Sequence, residues 1–406
     1  MLTIQEAGGT DEIVLTWDKF FQVKYRRMPI EVESPEQLGY DSIRNNLAES
    51  SYTDARLRDF LPGRTADPDV MAIDLRDLVL CYGSHQGHEG LRELIVKDSS
   101  SLRPEDVLLT IGAAGALFII ATSLLEKGED LLVVHPNYAT NIETPRAIGA
   151  AIRTLELRFE DGFRLDPDKV SAMITPHTKY LSVTHPHNPT GACLDDDTLK
   201  QLARIAEEKG ICVLVDETYR DMVFGEQLPL AAEYSPRLIS ISSLSKTYGL
   251  PGLRTGWIIC RDAQLMETFL AAKEQIHICG PVLEEELSYR YLLQRDTHFA
   301  RIRQDIRKKF DIVKRWMEQE AGDVWEWVEP QGGCVCFPRL RNPQRVDPDR
   351  FYKLLLEKYG TYVGPGHWFE MPRHYIRLGF GWPSIDQLEE GLVALLKSVE
   401  EAAIGH

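Results

Sequence analysis

One lysine and one arginine stand eight residues apart in the run Ile239-Ser-Ile-Ser-Ser-Leu-Ser-Lys246-Thr-Tyr-Gly-Leu-Pro-Gly-Leu-Arg254-Thr-Gly-Trp257. An amine becomes a nucleophile toward a carbonyl when burial or neighbouring cations depress its pKa. Serine hydroxyls, Ser243 among them, and a guanidinium fork beside that amine are what a phosphate ester requires. A solvated loop lysine would explain Ser-x-x-Lys alone. Here, however, the lysine follows the apolar alternation of Leu238 to Ile241, and Gly-Leu-Pro-Gly-Leu after it allows close backbone approach. An amine for an aldehyde and an anion site for a phosphate together describe pyridoxal 5′-phosphate.

Other chemistry-bearing residues recur at the ends of strand-like runs. Five such runs end at Gly112, Tyr138, Asn188, Asp216 and Lys246, with helical stretches between most of them. Alternating strands and helices predict a mainly parallel sheet, and ligands bind such sheets outside the carboxyl ends of the strands. At that rim, Ala113 and Ala114 open a helix whose first N–H groups suit an anion, or they make a small-residue helix–strand contact. Tyr138 offers an aromatic face to a flat ring. Prolines on both sides hold Asn188, which suits a directional hydrogen bond and equally a rigid turn. Asp216 follows the buried-looking Ile211-Cys-Val-Leu-Val215, where a carboxylate is costly unless paired. A protonated pyridine nitrogen is such a partner, and a helix cap is the alternative. Arg377 lies in the apolar Tyr375-Ile-Arg-Leu-Gly-Phe-Gly381, a natural partner for a carboxylate, with Arg373 nearby read as solvated.

Ser243-x-x-Lys246 with Arg254, taken with His185-Pro-His-Asn-Pro-Thr-Gly191 and Asp216-Glu-Thr-Tyr219, resembles the fold-type I pyridoxal-phosphate enzymes of the class I/II aminotransferase family. The resemblance runs over roughly residues 40–395. It implies a homodimeric aminotransferase that moves an amino group between an α-amino acid and a 2-oxo acid through a Lys246 Schiff base. By the same resemblance Asp216 holds the pyridine nitrogen, and Asn188 and Tyr219 bond the ring oxygen. Tyr138 stacks on the ring, Ala113, Ala114, Ser243 and Arg254 hold the phosphate, and Arg377 clamps the α-carboxylate. Tyr82 matches a tyrosine that reaches the phosphate of the other subunit, although a tyrosine packed on its own helix fits the local sequence too. Glu49 and Ser51, in Asn46-Leu-Ala-Glu-Ser-Ser51, match a substrate-side region that a plain loop would also explain. Several segments, Gly332-Gly-Cys-Val-Cys-Phe-Pro-Arg339 among them, are similar to a subgroup of capreomycidine synthase-like enzymes. That likeness implies elimination and cyclisation on an arginine-derived amino acid as the rival reaction. A regulator carrying an aminotransferase-like domain is disfavoured by acidic charge and by the lack of a helix-turn-helix pattern before residue 40.

The implied architecture is α/β: a mainly parallel sheet sandwiched by helices, with a smaller α+β domain built from both chain ends. The expected division is an arm and part of the small domain over 1–50, the large cofactor-binding domain over 51–295, and the remaining small domain over 296–406. A charged helical stretch from Arg301 to Glu320 leads into the last of these. Residues 1–60 read as irregular, their aromatics Trp17, Phe20, Phe21, Tyr25 and Tyr40 packed on the body or on a partner.

Composition supports an ordinary globular chain long enough for two domains, with 406 residues of which 43% are hydrophobic and 27% charged. A formal charge of −16 argues against nucleic acid and anionic membrane surfaces as partners. Seven scattered cysteines, without C-x-x-C spacing, predict reduced thiols in a cytoplasmic protein. Neither a signal peptide nor an apolar membrane span is expected. His85 and His88, without a third ligand nearby, give no reason to expect a metal. His185 and His187 read as solvated turn residues.

Overall fold

The computed structural model describes residues 27–56 and 78–404. Trp17, Phe20, Phe21 and Tyr25 lie outside the described residues. The segment expected to be irregular instead forms two short helices, Pro29–Val32 and Pro35–Leu38. Each opens on a proline, whose missing N–H costs nothing at a first helical position. Strand β1 (Asn45–Leu47) follows, and Tyr40 stacks on Trp382 at 5.9 Å.

Seven strands make the large sheet: β2 (Val107–Ile111), β3 (Asp130–His135), β4 (Ala151–Glu156), β5 (Thr178–Thr184), β6 (Cys212–Asp216), β7 (Leu238–Ser243) and β8 (Thr255–Ile259). Their spatial order is β2-β8-β7-β6-β5-β3-β4. Only β8 runs against the others, pairing antiparallel with both β2 and β7. Side-chain alternation divides the strands between two cores. Leu131, Val133, Cys212 and Leu214 face one layer, where the Gly112–Leu124 and Ala263–His277 helices pack. Leu132, Val134, Val213 and Val215 face the other, covered by the Asp196–Lys209 helix. Burial on both faces is why these strands read as unbroken apolar runs.

The smaller sheet draws on both ends of the chain. β9 (Trp325–Glu326) pairs with β11 (Arg339–Leu340), while β10 (Val335–Cys336), β12 (Thr361–Pro365) and β13 (Ile376–Gly379) join β1 in the order β1-β12-β13-β10. The charged helix leading into it spans Arg295–Trp316, beginning six residues before the sequence suggested. The Ile385–Glu401 helix closes this part, its start fixed by a capping box between Ser384 and Gln387.

The loop after β7 is pinned to the stretch after β1. The Tyr52 amide donates to the Lys246 carbonyl at 2.8 Å, and the Ala55 amide to the Gly249 carbonyl at 2.9 Å. Gly249 makes this approach possible, because it holds φ +62° and a Cβ there would lie 2.1 Å from the Thr53 carbonyl oxygen. Gly249→Ala should therefore destabilise the protein by about 2 kcal/mol or more. Urea unfolding checks this, and an unchanged midpoint would contradict the pinned arrangement.

Candidate active site

At the carboxyl rim of the large sheet lies a cavity of ≈ 530 Å³, closed on one side by the small domain and the 27–37 segment. Ala113, Ala114, Tyr138, Asn188, Asp216, Tyr219, Ser243, Lys246, Arg254, Arg377 and Glu49 all line it. Ser51 does not; it is buried behind the wall, and Ser50, one position earlier, lines the cavity instead. Tyr82 lies away from the cavity and is 77% exposed.

One end of the cavity is built for an anion. The Gly112–Leu124 helix starts directly after β2, and Ile111 at its N-cap provides no side-chain acceptor. The first N–H groups, at Ala113 and Ala114, are therefore left for a ligand. Ser243, Ser245 and Arg254 line the same cavity. Arg254 adopts a left-handed backbone (φ 49°), and its carbonyl accepts the Gly112 amide at 2.7 Å. Gly112 (φ +66°) leaves room for the guanidinium, since a Cβ there would sit 2.4 Å from Arg254 Nη2.

Asp216 marks the middle. It is only 7% exposed, and its Oδ1 accepts the Thr218 amide at 3.0 Å and the Thr218 hydroxyl at 2.5 Å. Burial pushes its carboxyl pKa up, opposed by these two bonds and by the Lys246 charge. Asn137 steadies the neighbouring Tyr138, its Oδ1 accepting the Tyr138 amide at 2.7 Å and Asn141 Nδ2 at 3.1 Å. Burial also raises the Tyr219 phenol, keeping it a hydrogen-bond donor.

Arg377 occupies the far end, 4% exposed and over the rings of Phe369 and Trp368 at 5.1 and 5.7 Å. Nη2 donates to the Ala48 carbonyl at 2.7 Å and Nη1 to Asn188 Oδ1 at 3.2 Å, while Nε has no acceptor among the described residues. With Oδ1 engaged, Asn188 keeps its Nδ2 to donate elsewhere. Glu49 stands close by; burial raises its carboxyl pKa, and Lys246 is the strongest opposing charge. Above them, Glu31, Ser34, Glu36 and Gln37 form a roof. Glu33 fastens that roof to the small domain, with Oε2 2.8 Å from both His367 Nε2 and Trp368 Nε1.

The histidines read as solvated are both buried, which corrects that expectation. His187 Nε2 lies 2.9 Å from the Pro136 carbonyl and Nδ1 2.8 Å from the Thr190 hydroxyl, so the ring ties the Asn188 loop to the Tyr138 loop. His185 Nδ1 accepts the Leu194 amide at 3.0 Å. Sequence reasoning also missed Thr218, Ser245, Trp368 and the roof. Thr218 and Ser245 stand inside the quoted motifs and were open to notice, whereas the roof carries no motif at all.

The pattern that describes aminotransferase class I and II matches residues 45–395. The chain belongs to that family. Among curated relatives of this aminotransferase, capreomycidine synthase of Streptomyces vinaceus is 28% identical over 348 residues, covering 84% of this chain and 87% of the relative. Arginine–pyruvate transaminase of Pseudomonas aeruginosa is 27% identical over 311 residues, 73% of this chain and 77% of that one. A pyridoxal-phosphate-dependent aminotransferase from Streptococcus suis superposes with a TM-score of 0.84 at 27% identity, covering 94% of this chain and 100% of that one. The cofactor of this aminotransferase is pyridoxal 5′-phosphate. The residues present fit it: an uncapped helix start beside Arg254 suits a phosphate, a buried carboxylate suits a ring nitrogen, and a half-buried lysine lines the same cavity.

Burial pushes His185 and His187 down from 6.5 to about 4, so both are neutral in the folded protein near pH 7. Unfolded histidines take up protons below about 6.5, so the unfolded state binds more protons between these values and stability falls as pH drops from about 6.5 toward 4. His187→Gln keeps a donor toward Pro136 and should flatten that slope by up to one proton. Denaturant titrations from pH 4.5 to 7 check this, and an unchanged slope would contradict it.

Proposed function

We propose that this aminotransferase transfers the amino group of an α-amino acid to a 2-oxo acid, with the cofactor held covalently through Lys246. The observation that carries the reading is Arg377, a buried guanidinium whose Nε lacks an acceptor among the described residues and which opens on the same cavity as Lys246. Such a group calls for a carboxylate, and an α-amino acid brings one together with the amine. When bound, the cofactor supplies an electron sink for negative charge at the substrate Cα. The Ala113 and Ala114 amides, Ser243, Ser245 and Arg254 would hold the phosphate, and Tyr138 would offer its ring to the cofactor. Asp216 holds the proton at the ring nitrogen, while the Tyr219 hydroxyl and Asn188 Nδ2 donate to the ring oxygen. Lys246 Nζ, lining the same cavity, would act as the base for the proton at the substrate Cα. Arg377 fixes the carboxylate and so aims the Cα–H bond at that amine.

Arg377→Ala should lower kcat/KM for an amino acid by a hundredfold or more, the order seen when one member of a buried charge pair is removed. The matching decarboxylated amine should be nearly indifferent to the change. Half-reaction kinetics with both substrates check this, and equal losses would make the arginine structural.

A second reading is favoured by Glu36 and Glu49, carboxylates in the same cavity as Arg377. An amino acid with a cationic side chain would place its charge there, which suits elimination and cyclisation on an arginine-derived substrate. Release of a 2-oxo acid from a panel of amino donors separates the readings, since only transamination produces it stoichiometrically with cofactor amination.

We further propose that the working unit is a homodimer. Val79, Leu80, Tyr82, Ile276 and Ile278 are exposed apolar residues at 70, 81, 77, 49 and 42%. The Gly83 turn beside Tyr82 packs against Val282, where a Cβ on Gly83 would lie 3.3 Å from Val282 Cγ2, so the 79–83 and 276–282 stretches adjoin. An apolar surface of this kind calls for a covering partner, and a second copy would direct Tyr82 toward the neighbouring phosphate site. Sedimentation at assay concentration should show a dimer, and an active monomer would remove Tyr82 from the site.

A further inference from the structure

Resting on the reading of Asp216 given above, we propose that Thr218 is a positioning residue that fixes Asp216 for the ring nitrogen, with Thr247 bracing it against the lysine loop. Both Thr218 donors, the amide at 3.0 Å and the hydroxyl at 2.5 Å, fall on the single oxygen Oδ1. Oδ2 is thereby the oxygen left to meet a cation in the cavity. Two donors on one oxygen also stop the carboxylate from rotating and favour its ionised form.

Thr218 is itself held. Its carbonyl accepts the Thr247 hydroxyl at 3.0 Å, and Thr247, 1% exposed, directly follows Lys246. One residue further, the Tyr248 hydroxyl donates to Asp221 Oδ2 at 2.6 Å. Two threonines and this tyrosine–aspartate bond therefore link the loop after β6 to the loop after β7. The spacing between the carboxylate and the reactive amine is set by these side chains and not by the sheet alone. The ionisable groups that act on Asp216 from other elements are Lys246, from the loop after β7, and Tyr138, from the loop after β3, together with Tyr219 on its own loop. Neither Tyr138 nor Tyr219 ionises near neutral pH, because burial raises both phenols. Burial works against the charged form of Asp216, so the hydroxyl of Thr218 is one of the few groups that sustain it.

The test compares Thr218→Val, Thr218→Ser and Asp216→Asn, alone and combined, by equilibrium binding of pyridoxal 5′-phosphate and by the pH dependence of its visible absorbance. Thr218→Val should weaken cofactor binding about tenfold, the loss expected for one hydrogen bond to a charged group. It should also shift the absorbance–pH curve in the same direction as Asp216→Asn. Thr218→Ser, which keeps the hydroxyl, should restore both to within about twofold. In the Asp216→Asn background, Thr218→Val should add little, because the two changes act through one group. Thr247→Val should give a smaller change of the same sign, and it serves if Thr218→Val folds poorly. Wild-type binding and spectrum in Thr218→Val, or a Ser variant as impaired as Val, overturns the proposal while leaving the reading of Asp216 intact. An Asp216→Asn protein with unchanged binding and spectrum overturns that reading, and the proposal with it.

Discussion

Two buried charges of opposite sign, Asp216 and Arg377, open on one cavity, and among the described residues neither has an ion-pair partner. Burying an unpaired charge costs several kcal/mol, and a fold selected for stability alone would neutralise or remove both. Here each is satisfied only in part: Asp216 on one oxygen by Thr218, and Arg377 at two of its three nitrogens by Ala48 and Asn188. What remains is one acceptor, Asp216 Oδ2, and one donor, Arg377 Nε, facing a common cavity. Under the proposed function, the cofactor and an amino acid would complete the pairing that the protein leaves open.

Holding such charges apart is the work of the architecture. Asp216 ends a strand whose five residues are all buried, so its position is fixed by a sheet covered on both faces. Arg377 sits on β13, in the smaller sheet, and is anchored to the stretch just after β1 through Ala48. The substrate end of the cavity therefore depends on residues more than three hundred positions apart in sequence. Lys246 opens on the same cavity, its loop tied to the stretch after β1 by Tyr52 and to the stretch after β6 by Thr247. Either anchor, if loosened, would alter the distance between amine, ring and carboxylate without touching a reacting group.

The strand-end residues were legible in sequence because buried parallel strands leave apolar runs, and a polar residue at their end stands out. That is how Tyr138, Asn188, Asp216 and Lys246 could be gathered on one rim from the chain alone. β8 was harder: Thr255–Ile259 follows closely on the loop arginine, and nothing in five residues tells an antiparallel strand from a continuing loop. The roof over 27–37 left no periodic pattern, since helices of four residues cannot display one. His185 and His187 looked solvated because Pro186 and Pro189 suggest a turn; both are buried nonetheless, His187 joining two loops. Ser50 and Ser51 could not be told apart by motif, because which of two adjacent residues faces the cavity depends on the course of the backbone after β1. Thr218 stands in plain view inside Asp216-Glu-Thr-Tyr219, but its two bonds to Asp216 Oδ1 appear only in the folded turn.

Everything rests on Lys246 being the amine that holds the cofactor, and reductive trapping tests that most directly. Among the described residues Lys273 is the informative rival, fully buried, with burial lowering its pKa to about 8. The protein loaded with pyridoxal 5′-phosphate should be reduced with borohydride, digested, and mapped by mass spectrometry. A single phosphopyridoxyl adduct on Lys246 is the expected result. An adduct on Lys273, or on any other lysine, with Lys246 unmodified would contradict the assignment of the site.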